Sequence, residues 1–395
     1  MAISRRSVIC GGVLALAVAT TAWSAETPRP PHQRPADITT DEAGLWYAAD
    51  KAEQGIKASG DLDADAALTA YVKGVECKVA PEYCDEVRLY VMDRPFFNAM
   101  AAPNGAIEVW SGALLRVRNE AGLAFVLGHE TTHYAFNHSL LEQRELKGRM
   151  DAIVPLGVLF APFVGPLVLD LGYLGAVAGF EHYSRDREME ADHGGADRMT
   201  AAGYDPAAAA GDWKLLIDEQ DHSEFDKIRK QHARAGLFDD HPLEGDRLEA
   251  LTALAKDRTG DLGQQRFRAA LRPHLAEFLR QDVRRRDYGE TLFVIDQLAA
   301  DGGDAGVLGF YRGECLRLRG GDGDAAKAIE AYVSALDAPD APPDAWRDLG
   351  ELYERGHQAE KARAAYQAYL DHAPAAQDRW MVQAALQKLD PTEAK

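Results

Sequence analysis

Apolar positions recur at helical spacing from about Asp41 to Ala58 and again from Asp63 to about Glu76. Between Glu86 and Asp93 the period drops to two. Val87, Leu89 and Val91 alternate with polar or outward positions, which predicts a strand. Pro103, Asn104 and Gly105 predict a turn, and Ala106 to Trp110 a second strand closed by Gly112. From Glu120 the spacing is helical again, with Leu123, Val126 and Leu127 sharing a face with Tyr134. Helical pattern resumes from His182 to about Ala202 and from Pro206 to Glu219. Together these elements predict an α+β chain, mainly helical, with a small sheet.

Two segments depart from this pattern. Ile153 to Phe180 is strongly apolar, and Asp170 is its one charge. Pro155, Pro162 and Pro166 interrupt its first half. The expectation is a helical hairpin, buried or lying on a membrane surface, rather than a span. The last third is helical and alanine-rich. Trp346, Leu349, Gly350 and Tyr353 match the signature of a tetratricopeptide helix. Lys327, Ala328, Tyr332 and Leu336 recur as Lys361, Ala362, Tyr366 and Leu370, at the offset of 34 residues that this repeat requires. Phe267 to Ala300 is read as a degenerate helical pair before them. The divisions expected are an N-terminal segment (1–24), a Pro-rich extended linker (25–40), a first domain (41–255) and tetratricopeptide-like repeats (264–392).

The 395 residues carry a formal net charge of −19, and such a surface repels phosphate backbones. Nucleic-acid binding is therefore excluded. Arg5 and Arg6, the apolar run Val8 to Thr20 and the small-x-small site Ala22-Trp23-Ser24 read as a cleaved signal, placing the mature chain in the periplasm or otherwise outside the cytoplasm. In such a compartment Cys77 and Cys84, seven residues apart around Pro81, are expected to form a disulfide, and Cys315 a buried thiol.

His129-Glu130-Thr131-Thr132-His133 is H-E-x-x-H inside a helical pattern. Residues four apart share a helix face, so both imidazoles can point at one metal ion. Glu130 leaves the same turn at an angle that suits a general base acting on the attacking water. With 12 histidines in the chain, chance would produce this motif in about two of a hundred such sequences. A zinc hydrolase needs a third protein ligand and an open position. The metzincin extension would need glycine at Phe136 and histidine at Ser139, so that class is excluded. His138 is one position off and is expected on another face. Glu188 is the better candidate. Asp192 shares its helix face and suits the N–H of a liganding histidine. Glu190 is expected to be a solvated charge, and His182 and His193 are rival ligands.

The His-Glu-x-x-His motif is followed by Ser-Arg-x-x-Glu-x-Glu-Ala-Asp at Ser184 to Asp192 and by Ala202-Gly203-Tyr204-Asp205-Pro206. This series resembles the HtpX-like and CaaX-prenyl-endopeptidase-like gluzincin metallopeptidases. Asn98-Ala99 with Pro103 to Trp110, and His241-Pro242 with Arg247, resemble two further motifs of that family, although Asn104 replaces a glycine common there. The resemblance implies one Zn2+ held by His129, His133 and Glu188. It implies Glu130 as catalytic base, Arg247 stabilising the oxyanion, and His241 near the zinc as a regulatory ligand. Signal, peptidase and repeats in that order resemble a BepA-like periplasmic arrangement. That implies protein or peptide substrates, turnover of unfolded or misassembled envelope proteins, and contact with envelope assembly machinery through the repeats. The alternative is a chaperone or assembly factor acting mainly through the repeats, with a latent protease site. Ala106 to Trp110 is further expected to be a sheet edge along the cleft, where substrate could pair as an added strand.

Overall fold

The computed structural model describes residues 27–31, 33–35, 37–157, 183–231 and 245–389. Helix α1 (Asp41–Lys57) starts where the Thr40 hydroxyl accepts from Ala43 N, and α2 (Ala66–Val79) where the Asp65 carboxylate accepts from Ala67 N and Leu68 N. Three strands follow, β1 (Arg88–Met92), β2 (Ala99–Ala101) and β3 (Ala106–Trp110), in the spatial order β1-β3-β2. Strand β3 pairs parallel with β1 and antiparallel with β2. It is therefore the central strand, which corrects the expectation of an edge. Its sequence Ala-Ile-Glu-Val-Trp is covered over Ala106 to Val109, as suits a strand flanked on both sides. The short β2 was not visible as a separate element, because three small or flexible residues give no period to read.

Helix α3 (Ser111–Arg116) leads into α4 (Glu120–Ala135), which Asn119 caps by accepting from Gly122 N at 2.9 Å. Every residue of α4 except Val126 is buried, so this helix is the axis of the domain. Around it lie α5 (His138–Gly157), α6 (Arg185–Ala201) and α7 (Ala207–Asp221); α9 (Gly245–Ala255) packs against α6 and α7, and the short α8 (Asp226–Gln231) lies beside α7. The export signal, most of the apolar segment Ile153 to Phe180, His182 and His241 lie outside the described residues. Helix α5 itself runs through Pro155 to Gly157. Among the described residues no helix is long and apolar enough to cross a membrane.

The Pro-rich segment is anchored at a single residue: among its described residues Arg29 alone is buried, and the others are exposed or half-buried. Arg29 is only 6% exposed. Its backbone N–H reaches Ala135 O, the last turn of α4, and its guanidinium lies over the rings of Trp46 and Tyr134 and bonds Asn137. A cation at a helix C-terminus is favoured by the helix dipole.

The C-terminal third is built of helices α10 (Gln264–Leu271), α11 (Leu275–Arg284), α12 (Tyr288–Ala300), α13 (Ala305–Arg319), α14 (Asp324–Leu336), α15 (Asp344–Arg355), α16 (Ala359–His372) and α17 (Arg379–Lys388). Its core is continuous with that of the first part through Leu114, Phe267, Phe278 and Leu279. Arg116 on α3 is fully enclosed between Glu219 at 2.6 Å and Asp282 at 2.9 Å, an ion triad that crosses the junction. Helix pairs α13/α14 and α15/α16 repeat one contact. A Cβ on Gly313 would lie 2.4 Å from the Tyr332 ring, and one on Gly350 would lie 2.5 Å from the Tyr366 ring. Each glycine is the only residue small enough to admit its tyrosine.

Candidate active site

Helices α4 and α6 cross at glycines. A Cβ on Gly194 would stand 2.3 Å from Thr132 Oγ1, and one on Gly195 3.0 Å from His129 N. Gly128 faces Gly195 Cα at 3.2 Å by the same construction. Glu188, Asp192 and Gly195 fall on one face of α6, spaced four and three residues apart. The close crossing at Gly195 therefore carries Glu188 and Asp192 onto the histidines of α4.

The ligand atoms of His129, His133 and Glu188 lie within 4.8 Å of one another, and all three residues are buried. The two Nε2 atoms are 3.0 Å apart. Glu188 Oε2 is 3.7 Å from His129 Nε2, and Oε1 is 3.5 Å from His133 Nε2. Zinc bonds of about 2.0–2.1 Å at tetrahedral angles place ligand atoms roughly 3.3 Å apart. The observed distances bracket that value, so the donor set fits zinc in both chemistry and spacing. Glu130, 3% exposed, occupies the same turn of α4 as His129.

The outer nitrogens of the two histidines meet different partners. His129 Nδ1 is 3.0 Å from Asp192 Oδ1. His133 Nδ1 is 2.8 Å from His138 Nδ1, and Tyr183 stacks on the His133 ring at 3.9 Å. His138 Nε2 in turn lies 3.3 Å from Glu190 Oε2. His138 and Glu190 thus belong to the site, which corrects their assignment to another face and to solvent. The break between α4 and α5, with Asn137 in the left-handed region (φ 54°), turns His138 back toward α4. A regular-helix projection of position 138 could not show this. Burial, with the charges of Arg187 and His129, pushes His138 down to about 3, so its ring is neutral.

Arg247, on α9, is 2% exposed. Its Nε and one terminal nitrogen grip Asp192 at 2.7 and 2.6 Å, and the other terminal nitrogen is 2.8 Å from Glu188 Oε2. Burial alone would raise the Asp192 carboxyl, but the Arg247 charge and the bonds from Arg247 and His129 outweigh it and hold Asp192 at about 2. This geometry orients Glu188; the oxyanion role expected for Arg247 would need the guanidinium to turn toward substrate. A second support reaches α4 from α2. Thr131 Oγ1 donates to Glu76 Oε1 at 2.7 Å, and burial raises Glu76 to about 7. The adjacent Cys77 is joined to Cys84 in a disulfide, and Cys315 is buried and free. His193 is on α6 but is not one of the three grouped donors.

Comparison with known proteins agrees with this geometry. Residues 66–255 match Peptidase family M48. The mitochondrial metalloendopeptidase OMA1 of Schizosaccharomyces pombe is 36% identical over 128 residues, which are 32% of this chain and 37% of that protein. The metalloprotease YcaL of Escherichia coli is 30% identical over 155 residues, 38% of this chain and 56% of that protein. A putative beta-barrel assembly-enhancing protease of Vibrio cholerae is 28% identical over 157 residues, 38% of this chain and 31% of that protein. The chain spans about a third of the length of the first of these relatives.

Proposed function

From the premise that residues 66–255 form a domain of peptidase family M48, we propose that the protein is a zinc metalloendopeptidase acting on unfolded or misassembled proteins of the cell envelope. The observation that carries this reading is the buried group His129, His133 and Glu188, at tetrahedral spacing and with Glu130 on the same turn. When bound, zinc supplies Lewis-acid polarisation of the scissile carbonyl and lowers the pKa of water. Glu130 takes the proton of the attacking water and passes it to the departing amide nitrogen. Asp192 fixes the ring of His129, and Arg247 holds Glu188 and Asp192 in place.

Substrate pairing moves from β3 to β2. Trp110 N donates to Asn98 O and Ala102 N to Ala106 O, so the even-numbered residues of the β2 segment face β3. The N–H and C=O of Ala99 and Ala101 point the other way, where an extended peptide could add as a strand. Main-chain pairing accepts many sequences, which suits unfolded substrates.

The envelope setting rests on the signal-like N-terminus and on the Cys77–Cys84 disulfide, since such bonds persist in oxidising compartments. We read the C-terminal helices as tetratricopeptide-like repeats, supported by the recurring glycine–tyrosine contact in consecutive pairs. An open groove of about 830 Å³, lined by charged residues of both signs such as Arg347, Glu351 and Arg355 and by Met381 and Ala385, favours a second role in holding a partner or substrate.

The deciding experiment measures zinc and cleavage together. Wild-type protein should hold about one zinc per chain and cleave an unfolded polypeptide, and Glu188→Ala should lose both. A folded wild type without zinc would leave partner binding by the repeats as the better reading.

A further inference from the structure

We propose that His138 and Glu190 are positioning residues of the metal site, holding His133 in the tautomer and orientation that ligation requires. The inference rests on the ligand assignment above. Two Nδ1 atoms 2.8 Å apart share one proton, so one ring donates and the other accepts. His133 directs Nε2 at Glu188 and His129, and a ligating nitrogen carries no proton. The proton of His133 therefore sits on Nδ1 and is donated to His138 Nδ1. His138 must then carry its own proton on Nε2, where Glu190 Oε2 accepts it at 3.3 Å. The relay fixes both tautomers from its carboxylate end.

The surroundings suit this role. His138 is fully buried at the first residue of α5, and Glu190 comes from α6, two residues past Glu188. Tyr183 clamps the other face of His133, and its hydroxyl is 2.8 Å from Ser139 Oγ. The His133 ring is thus held in plane by Tyr183 and in rotation by His138. The two histidine ligands are supported unequally. His129 faces a carboxylate directly, whereas His133 faces a carboxylate through an intervening imidazole. A neutral acceptor polarises its partner less than an anion, so His133 is the weaker donor of the two.

The test is zinc affinity by chelator competition, with unfolding of the metal-free protein measured beside it. In His138→Ala the zinc Kd should rise about 10–100-fold. His138→Asn keeps an acceptor oxygen and should recover part of the loss. Glu190→Ala should weaken zinc less than His138→Ala does. The cobalt(II)-loaded His138→Ala protein should show a shifted visible absorption spectrum. An unchanged zinc Kd in His138→Ala, with only its unfolding altered, would make His138 a packing residue and overturn the proposal. If His138→Ala does not fold, His138→Asn and Glu190→Ala decide in the same way, and unchanged affinity in both overturns it. A wild type that binds no zinc sinks the ligand assignment itself, and the relay with it.

Discussion

Arg247 and Asp192 form a two-point ion pair in which both partners are almost wholly buried, with nitrogen–oxygen distances of 2.7 and 2.6 Å. It joins α9 to α6 behind the group of His129, His133 and Glu188. Breaking a buried pair from one side strands the other charge, which costs about 3–5 kcal/mol. Arg247→Met should therefore lower unfolding free energy by that order and weaken zinc binding. Arg247→Lys should rescue little, because an ammonium cannot make the fork. Denaturant titration of the three proteins checks this; a fully rescuing lysine would refute the importance of the fork.

Glu130→Gln should leave zinc stoichiometry at the wild-type value while cleavage falls by about 10²–10⁴-fold, the range expected for a lost general base. Cleavage at the wild-type rate would remove Glu130 from the mechanism.

Gly194→Val tests the helix crossing. Its Cβ would meet Thr132 Oγ1 at 2.3 Å. Overpacking of this kind costs about 1–3 kcal/mol, and separating α4 from α6 should also loosen Glu188 from the histidines. Thermal unfolding and zinc affinity should fall together. A loss of stability with full zinc affinity would show that the ligands do not depend on this crossing.

Ala101→Pro removes an N–H that faces away from β3, so it should spare the sheet and zinc while slowing cleavage of extended substrates. Val109→Pro interrupts the central strand and should instead destabilise the fold. Equal cleavage by wild type and Ala101→Pro would place substrate elsewhere.

Asp212 offers a pH signature. Burial raises its carboxyl to about 7, opposed by the Arg118 backbone N–H and charge, and its Oδ2 has no hydrogen-bond partner among the described residues. The folded protein keeps a proton that the unfolded chain releases from about 4 upward. The stability associated with this group is therefore complete below pH 4 and falls as pH rises to about 7, by on the order of 4 kcal/mol. Asp212→Asn should remove that part of the slope. Identical pH dependence in wild type and variant would mean that Asp212 ionises normally.

How far the site could be read in advance depended on where each contact came from. His129, Glu130 and His133 are tied by the turn of a single helix, and Glu188 and Asp192 by the turn of another. Those relations follow from spacing alone, because an α-helix repeats every 3.6 residues wherever it forms. The helical character and the outlines of α1, α2, α4, α6 and α7 were legible for the same reason. The place of Arg29, the central position of β3 and the inward turn of His138 were not. Each depends on how the chain reverses between elements: at Asn137, at the β2 turn, and where the Pro-rich segment folds back on α4. A period carries no information about such reversals. The sequence by itself determined which side chains of α4 and α6 share a helix face, and so the grouping of His129, His133 and Glu188 with Glu130 beside them. The tertiary structure alone decided which outer residues hold the donors. Glu190 reaches the grouped donors through the crossing of α4 and α6, which close-packed glycines set, Arg247 through the packing of α9 on α6, and His138 through the reversal at Asn137.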